Sequence, residues 1–234
     1  MTIKEEYYIK KINGKNSYEF LLNIHYARRI PSIMFCYGLF NRNNDMVGVI
    51  TFGMSSNNFL FKLFKTKSCL ELDRLCVLDG LQKNVLSWFV SQSLKRIKNS
   101  IIISYADPNF GHYGYIYQST NWLYTGKSRI VPLFIYKNKE YHSRNFKTNM
   151  SKLMFKIEKN KSLRQNWVDN GGNIIQQLKK HRYFYITGNK RYKEQKLKIL
   201  KEKFKILPYP KGKPKRYKIT YKPEQKFLDQ YIKD

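Results

Sequence analysis

The sequence predicts a mixed α/β (α+β) protein, a central sheet with flanking helices and a basic C-terminal extension. Three observations carry this. Strand-like runs alternate with helical periodicity between residues 32 and 106. One run, Ile101-Ile102-Ile103-Ser104-Tyr105-Ala106, is almost wholly apolar, as expected of a central strand buried on both faces. Past residue 190 the composition turns strongly cationic; residues 181–234 hold 17 Lys or Arg against 5 acidic residues.

Residues 3–26 carry apolar positions at helical spacing, ending in Phe20, Leu21, Leu22, Ile24 and Tyr26, and Pro31 marks a stop. Ile33–Phe40 and Met46–Phe52 then read as two strands. The turn chemistry of Asn41-Arg42-Asn43-Asn44-Asp45 makes them a hairpin. Residues 69–78 alternate apolar and polar at first, which suits a strand, and Asp79-Gly80 breaks it. Helical spacing returns over 81–97 through Leu86, Phe89, Val90, Leu94 and Ile97. After the Ile101–Ala106 strand, a short helix is expected within His112–Tyr124 and a strand at Ile130–Tyr136. The span 137–180 is polar and weakly patterned, and Arg182–Thr187 reads as a last strand. A helix over about 192–206 follows, and Pro208, Pro210 and Pro214 leave the remainder extended. This divides the chain into a catalytic domain over residues 1–189 and a basic extension over 190–234. At least one crossover helix is implied.

Lys and Arg number 45 against 16 Asp and Glu, a net charge of +29 with a pI near 10.0. Self-repulsion of that size does nothing for folding, so the charge points to a polyanion. Nucleic acid is the leading partner, since each phosphate contacted releases counterions; an acidic membrane surface is the lesser one. The codon bias of an AT-rich genome inflates Lys, Asn and Tyr but does not hold the acidic residues to 16. A hydrophobic share of 42% supports a packed core and excludes wholesale disorder. Cys36, Cys69 and Cys76 are odd in number and lie among apolar residues, which suits reduced core packing in a cytosolic protein. No signal peptide and no apolar run of the roughly 20 residues needed to span a membrane is visible. A soluble, cytoplasmic protein is expected.

Three units carry candidate chemistry. Lys83-Asn84 with Ser87 opens a helix after a strand, where free N–H groups and the helix dipole favour a pyrophosphate, although taken alone a plain helix start capped by a polar residue is the commoner reading. No GxGxxG or P-loop is present. Ser104 and Asp107 close the buried strand, ahead of Phe110-Gly111-His112-Tyr113 and Tyr117. Ligands of open α/β sheets bind at such carboxyl ends, so an acid–base set is one reading and a turn-capping Asp107 the other. His25-Tyr26 gains interest if the fold brings it to that same edge. Arg74, beside Asp73, reads as a buried ion pair or a phosphate contact. The interleaving of Tyr192, Tyr209, Tyr217, Tyr221 and Phe227 with lysines in the extension suits backbone contact and base stacking.

At these motifs the chain resembles the Mom family of phage adenine-modification proteins, over roughly residues 20–215. The likeness rests on His25-Tyr26 with Arg29-Ile30-Pro31, Glu71-Leu72-Asp73-Arg74-Leu75, and Lys83-Asn84 with Ser87-Trp88-Phe89. It continues through Ser104–Pro108, Gly111-His112, Ile116-Tyr117-Gln118, Lys180-His181-Arg182-Tyr183 and Leu207–Lys211. The resemblance implies a GNAT-like acyltransferase fold. It also implies carbamoylmethylation of adenine N6 in phage DNA, against host restriction. It further implies acetyl-CoA or another acyl donor, and possible iron for which the sequence shows no ligands. Carried over, His25, Tyr26, Arg74, Asp107 and Tyr117 are catalytic positions, and Lys83, Asn84, Ser87 and Ser104 bind the cofactor. Asp107 or His25 would take the N6 proton, and Tyr26 and Tyr117 would orient the base. The partner would be double-stranded DNA with a flipped adenine, or locally single-stranded DNA. Two rival functions stay open, an ordinary N-acetyltransferase on a protein or small amine and a non-catalytic DNA-binding protein. Oligomeric state is open as well, a homodimer among the options.

Overall fold

The computed structural model describes residues 2–142 and 146–213. Its centre is a seven-stranded sheet built from β1 (Tyr7–Lys11), β2 (Phe35–Asn41), β3 (Met46–Met54), β4 (Cys69–Val77), β5 (Ile101–Ala106), β6 (Leu123–Lys127) and β10 (His181–Ile186). The order is β1-β2-β3-β4-β5-β10-β6, and every neighbouring pair is antiparallel except β4 and β5. The mixed α+β class expected from the sequence is the class observed.

The β2–β3 hairpin closes as its turn residues dictate. The Asn41 side chain and Asp45 exchange hydrogen bonds of 2.9 Å, and Asn44 takes the left-handed conformation at φ 65°. Helices cover both faces. On one, α3 (Val85–Lys95) and α4 (Tyr115–Ser119) bury Phe89, Leu94 and Tyr117 against Leu70, Ile102 and Tyr183. On the other, α2 (Asn58–Phe64) and α7 (Lys190–Lys203) bury Phe64 and Leu200 against Ile101, Ile103 and Phe184. Alternate residues of β5 thus serve opposite cores, which is why its sequence is apolar at every position but Ser104 and the Tyr105 hydroxyl. Cys36, Cys69 and Cys76 are all free and buried.

The expected helix over residues 3–26 is corrected. Only α1 (Ile3–Glu6) is helical before β1; past that strand residues 14–24 are helical as expected, a 3₁₀ turn at Gly14–Ser17 running on into a π-helical turn at Phe20–Ile24. Tyr7 and Ile9 pack on one core and Tyr8 on another, a strand alternation that five residues cannot separate from helical spacing. The helix expected within His112–Tyr124 shrinks to α4. Gly114, at φ 79°, precedes it, and Asn121, at φ 61°, follows its end.

The larger departure lies in residues 128–180. The expected strand at Ile130–Tyr136 forms β7 (Pro132–Tyr136), but it sits outside the main sheet. It pairs with β8 (Lys139–His142) and β9 (Asn173–Gln176) in a separate three-stranded sheet. With α5 (Phe146–Lys152) and α6 (Leu163–Asp169), this insert keeps its own core of Phe134, Met150 and Trp167. The sheet order therefore places β10, which follows the insert in the chain, between β5 and β6. After α7 the chain stays on the core. The Leu207 N–H donates to the Tyr124 carbonyl (3.0 Å) and the Tyr209 hydroxyl to the Trp122 carbonyl (2.7 Å). Pro214, Tyr217, Tyr221 and Phe227 lie outside the described residues.

Candidate active site at the parting of two parallel strands

β4 and β5 pair over only three positions, Cys69–Glu71 against Ile101–Ile103. Beyond them both strands continue, to Val77 and Ala106, without joining. A register shift in the β3–β4 ladder falls between Leu72 and Arg74, and such a bulge bends and twists its strand. Gly53 permits the crowding there, because a Cβ at that position would collide with the Ser32 carbonyl and lie 2.6 Å from an Asp73 carboxylate oxygen. The result is an opening at the carboxyl ends of a parallel pair, the place where open α/β sheets bind ligands.

Ser104 bridges the opening. Its hydroxyl donates to the Leu72 carbonyl (2.9 Å) and is hydrogen-bonded to the Tyr117 hydroxyl (2.7 Å). Burial pushes the Tyr117 phenol well above its usual range, with lesser contributions from neighbouring groups including Tyr26 and Glu71. This phenol stays protonated at physiological pH.

Asp107 ends β5 and is 2% exposed. One carboxylate oxygen accepts the Asn109 N–H (3.0 Å) and its side-chain amide (2.7 Å), capping the turn at Pro108–Phe110. The other meets Lys180 Nζ at 2.7 Å. The turn then carries Phe110 and His112 to Tyr26. The Tyr26 ring lies 4.7 Å from that of Phe110 and 4.9 Å, edge-on, from His112, and stacks on His25 at 4.4 Å. His25-Tyr26 therefore lies at the edge that carries Asp107, the condition on which its functional interest depends.

His25 Nδ1 accepts the Ala27 N–H at 3.1 Å, so the ring's own proton sits on Nε2. Burial, followed by the charges of Arg74, His112 and Arg29, lowers the His25 pKa to about 3. His112 is lowered too, by burial, with Asp107 opposing. Arg74 completes the cluster. One of its terminal nitrogens donates to the Asp73 carbonyl (2.6 Å), while its buried Nε finds no acceptor among the described residues. Burial and the Arg29 charge lower its pKa.

The structure thus joins His25, Tyr26, Arg74 and the Asp107 turn, with Ser104 and Tyr117 paired in the opening. Lys83, Asn84 and Ser87 form a second group at the start of α3. Lys83 and Asn84 are exposed, Asn84 is left-handed at φ 68° and its side chain caps nothing. Ser87 donates to the Asn84 carbonyl at 3.0 Å. Uncapped N–H groups beside a lysine fit phosphate oxygens. Among the described residues no cluster of three His, Cys, Asp or Glu side chains is placed to hold a metal ion. Nor, among them, is any helix long and apolar enough to cross a membrane.

Lys180 is the partner that sequence reasoning left without a role. It stands 73 positions from Asp107, and no local signal links the two. Phe110 and His112 were visible only as neighbours of Asp107.

Fold and site together define an α+β protein whose candidate centre lies where one parallel strand pair parts. The sequence model of the Mom protein family matches residues 6–211, and the chain belongs to that family. It is similar to the methylcarbamoylase mom of Escherichia phage Mu, with 25% identity over 197 residues, 80% of this chain and 76% of the phage protein.

Proposed function

We propose that this protein is a DNA-modifying transferase that places a carbamoylmethyl group on adenine N6. In this reading a GNAT-like core binds an acyl donor at the start of α3, and the phage DNA is protected from host restriction. The observation that carries the reading is the convergence of His25, Tyr26, Arg74 and the Asp107 turn on one sheet edge, in a Mom-family chain of net charge +29.

Adenine N6 is a poor nucleophile, because its lone pair is delocalised into the ring. Its reaction needs tight positioning and removal of one proton as the N6–carbon bond forms. Of the two bases considered from the sequence, His25 is unsuited. A neutral imidazole with a pKa near 3 and Nδ1 already accepting takes up no proton at pH 7. Its Nε2–H is instead a fixed donor that polarises a carbonyl, beside the cation of Arg74. Asp107 remains as the proton acceptor, with Lys180 stabilising its charge until the proton arrives. Tyr26, exposed and backed by three rings, orients the base, and Tyr117 with Ser104 holds the opening apart. Lys83, Asn84 and Ser87 would bind the donor's phosphates. A coenzyme A thioester, when bound, would supply the two-carbon acetyl unit; joining N6 to its methyl carbon would require a two-electron oxidant, and an ammonia-level nitrogen from a second source would displace the coenzyme A thiol to give the carbamoyl group.

One observation favours a rival, non-catalytic reading: both Asp107 oxygens are already engaged. Restriction mapping separates the two. Plasmid grown in a restriction-deficient host that expresses the protein is expected to resist endonucleases that read adenine. Plasmid grown with Asp107→Asn is expected to be cut normally. Full cutting in both cases, with the wild type folded and abundant, favours the rival.

A further inference from the structure

The insert and the main sheet enclose a second feature, distinct from the opening between β4 and β5. A cleft of about 720 Å³ runs between the limb after β9 and the edge strand β6. That volume is typical of a small-molecule or nucleotide site, roughly 300–1,000 Å³. Tyr113, Tyr124 and His181 line it on one side, and Lys127, Lys179 and Lys211 stand around it, all three exposed. The Tyr124 hydroxyl and His181 Nδ1 lie 3.0 Å apart, which fixes both rings. Burial and the Lys127 charge keep the His181 imidazole neutral. Planar rings beside separate cations are the chemistry that recognises a nucleotide, base on ring and phosphate on ammonium.

The limb at 176–180 adds a second observation. Leu178 is 60% exposed, yet its backbone is held on both sides. Its N–H donates to Asn109 Oδ1 at 2.9 Å. Lys180 exchanges hydrogen bonds of 3.1 and 2.8 Å with Ser128 and meets Asp107 at 2.7 Å. An apolar side chain fixed in water at the mouth of a cationic cleft matches the wedges that proteins insert between base steps. The same clamp joins the limb to the Asp107 turn, so cleft and candidate centre share a wall at Pro108.

We infer that this cleft holds a nucleotide of the substrate DNA strand, with Leu178 as the wedge that parts it from its neighbour. The inference rests on the reading of DNA as substrate, and it places the strand's phosphates on Lys127, Lys179 and Lys211.

The test uses purified full-length protein, no donor, and duplex DNA carrying 2-aminopurine. For a Lys127→Ser, Lys179→Ser, Lys211→Ser variant, the log–log salt dependence of binding is expected to be shallower by about 2.7, at about 0.9 per phosphate. A control that removes the same charge from the exposed face of α7, with Lys193, Lys198 and Lys201 changed to Ser, is expected to keep the wild-type slope. Leu178→Ala is expected to abolish the fluorescence rise of the unstacked base while affinity stays within about twofold. Equal slopes for the two triple variants, or an unchanged rise with Leu178→Ala, would overturn the inference. Loss of acetyl-CoA affinity in the cleft variant, with the DNA slope intact, would overturn it as well, since the cleft would then hold the donor. Failure of the wild type to bind DNA at all would remove the functional reading along with it. DNA modified normally by the cleft and Leu178 variants would remove the inference alone.

Discussion

At the scale of single residues, the site is ruled by burial acting on ionisable groups. His25 is 7% exposed and refuses a proton until about pH 3, whereas the unfolded chain accepts one near pH 6.5. A folded pKa below the unfolded one stabilises fully above pH 6.5, and that stability is lost as pH falls toward 3. Between pH 7 and pH 5 this group alone should cost about 2 kcal/mol. Urea unfolding at the two pH values, for the wild type and His25→Gln, isolates it from the other histidines. The wild type is expected to lose about 2 kcal/mol more than the variant, and equal losses would show that the imidazole titrates normally in the fold. Asp107 and Lys180 illustrate the limit of reading residues alone. The sequence offered Asp107 as either a turn cap or a base. In the fold its first oxygen caps the turn and its second is paired with Lys180, so the cap is present and the other oxygen is held by a partner 73 positions away.

At the scale of elements, legibility followed pattern length. The β2–β3 hairpin, β4, α3, β5 and β10 were all readable, because each spans enough residues to show one period and is bounded by turn chemistry. The first strand reads as helix in the sequence because five residues, Tyr7–Lys11, satisfy both periods. The insert was nearly invisible. Its strands of four and five residues and helices of seven share one small core, and the apolar anchors Phe134, Met150 and Trp167 are too far apart to form a pattern. The parting of β4 and β5 was unreadable in principle, since it depends on a bulge against β3 and on close approach at Gly53. Gly114 shows how one such position sets an element. It starts α4 at φ 79°, and a Cβ there would collide with the Tyr183 ring. Gly114→Ala is therefore expected to cost about 2–4 kcal/mol, from left-handed strain plus overpacking. Gly80→Ala, at φ 82° with nothing within 4 Å, should show the strain alone, about 1 kcal/mol. Chemical denaturation of both variants checks the difference; equal costs would mean that Tyr183 moves aside freely.

At the scale of the whole molecule, a cationic surface, an opening in a mixed sheet and an insert that walls a second cleft belong to one fold. Composition alone pointed to a polyanion, and family membership points to the reaction; neither locates the chemistry. The fold offers a candidate place for it, by drawing positions 25, 74, 107 and 180 to one edge. The most direct test of the central claim is nucleoside mass spectrometry on plasmid DNA from a restriction-deficient host that expresses the protein, with Asp107→Asn in parallel. The account predicts a carbamoylmethyl-substituted deoxyadenosine in the wild-type sample and its absence from the variant. Unmodified deoxyadenosine throughout, from cells rich in folded wild-type protein, would contradict it.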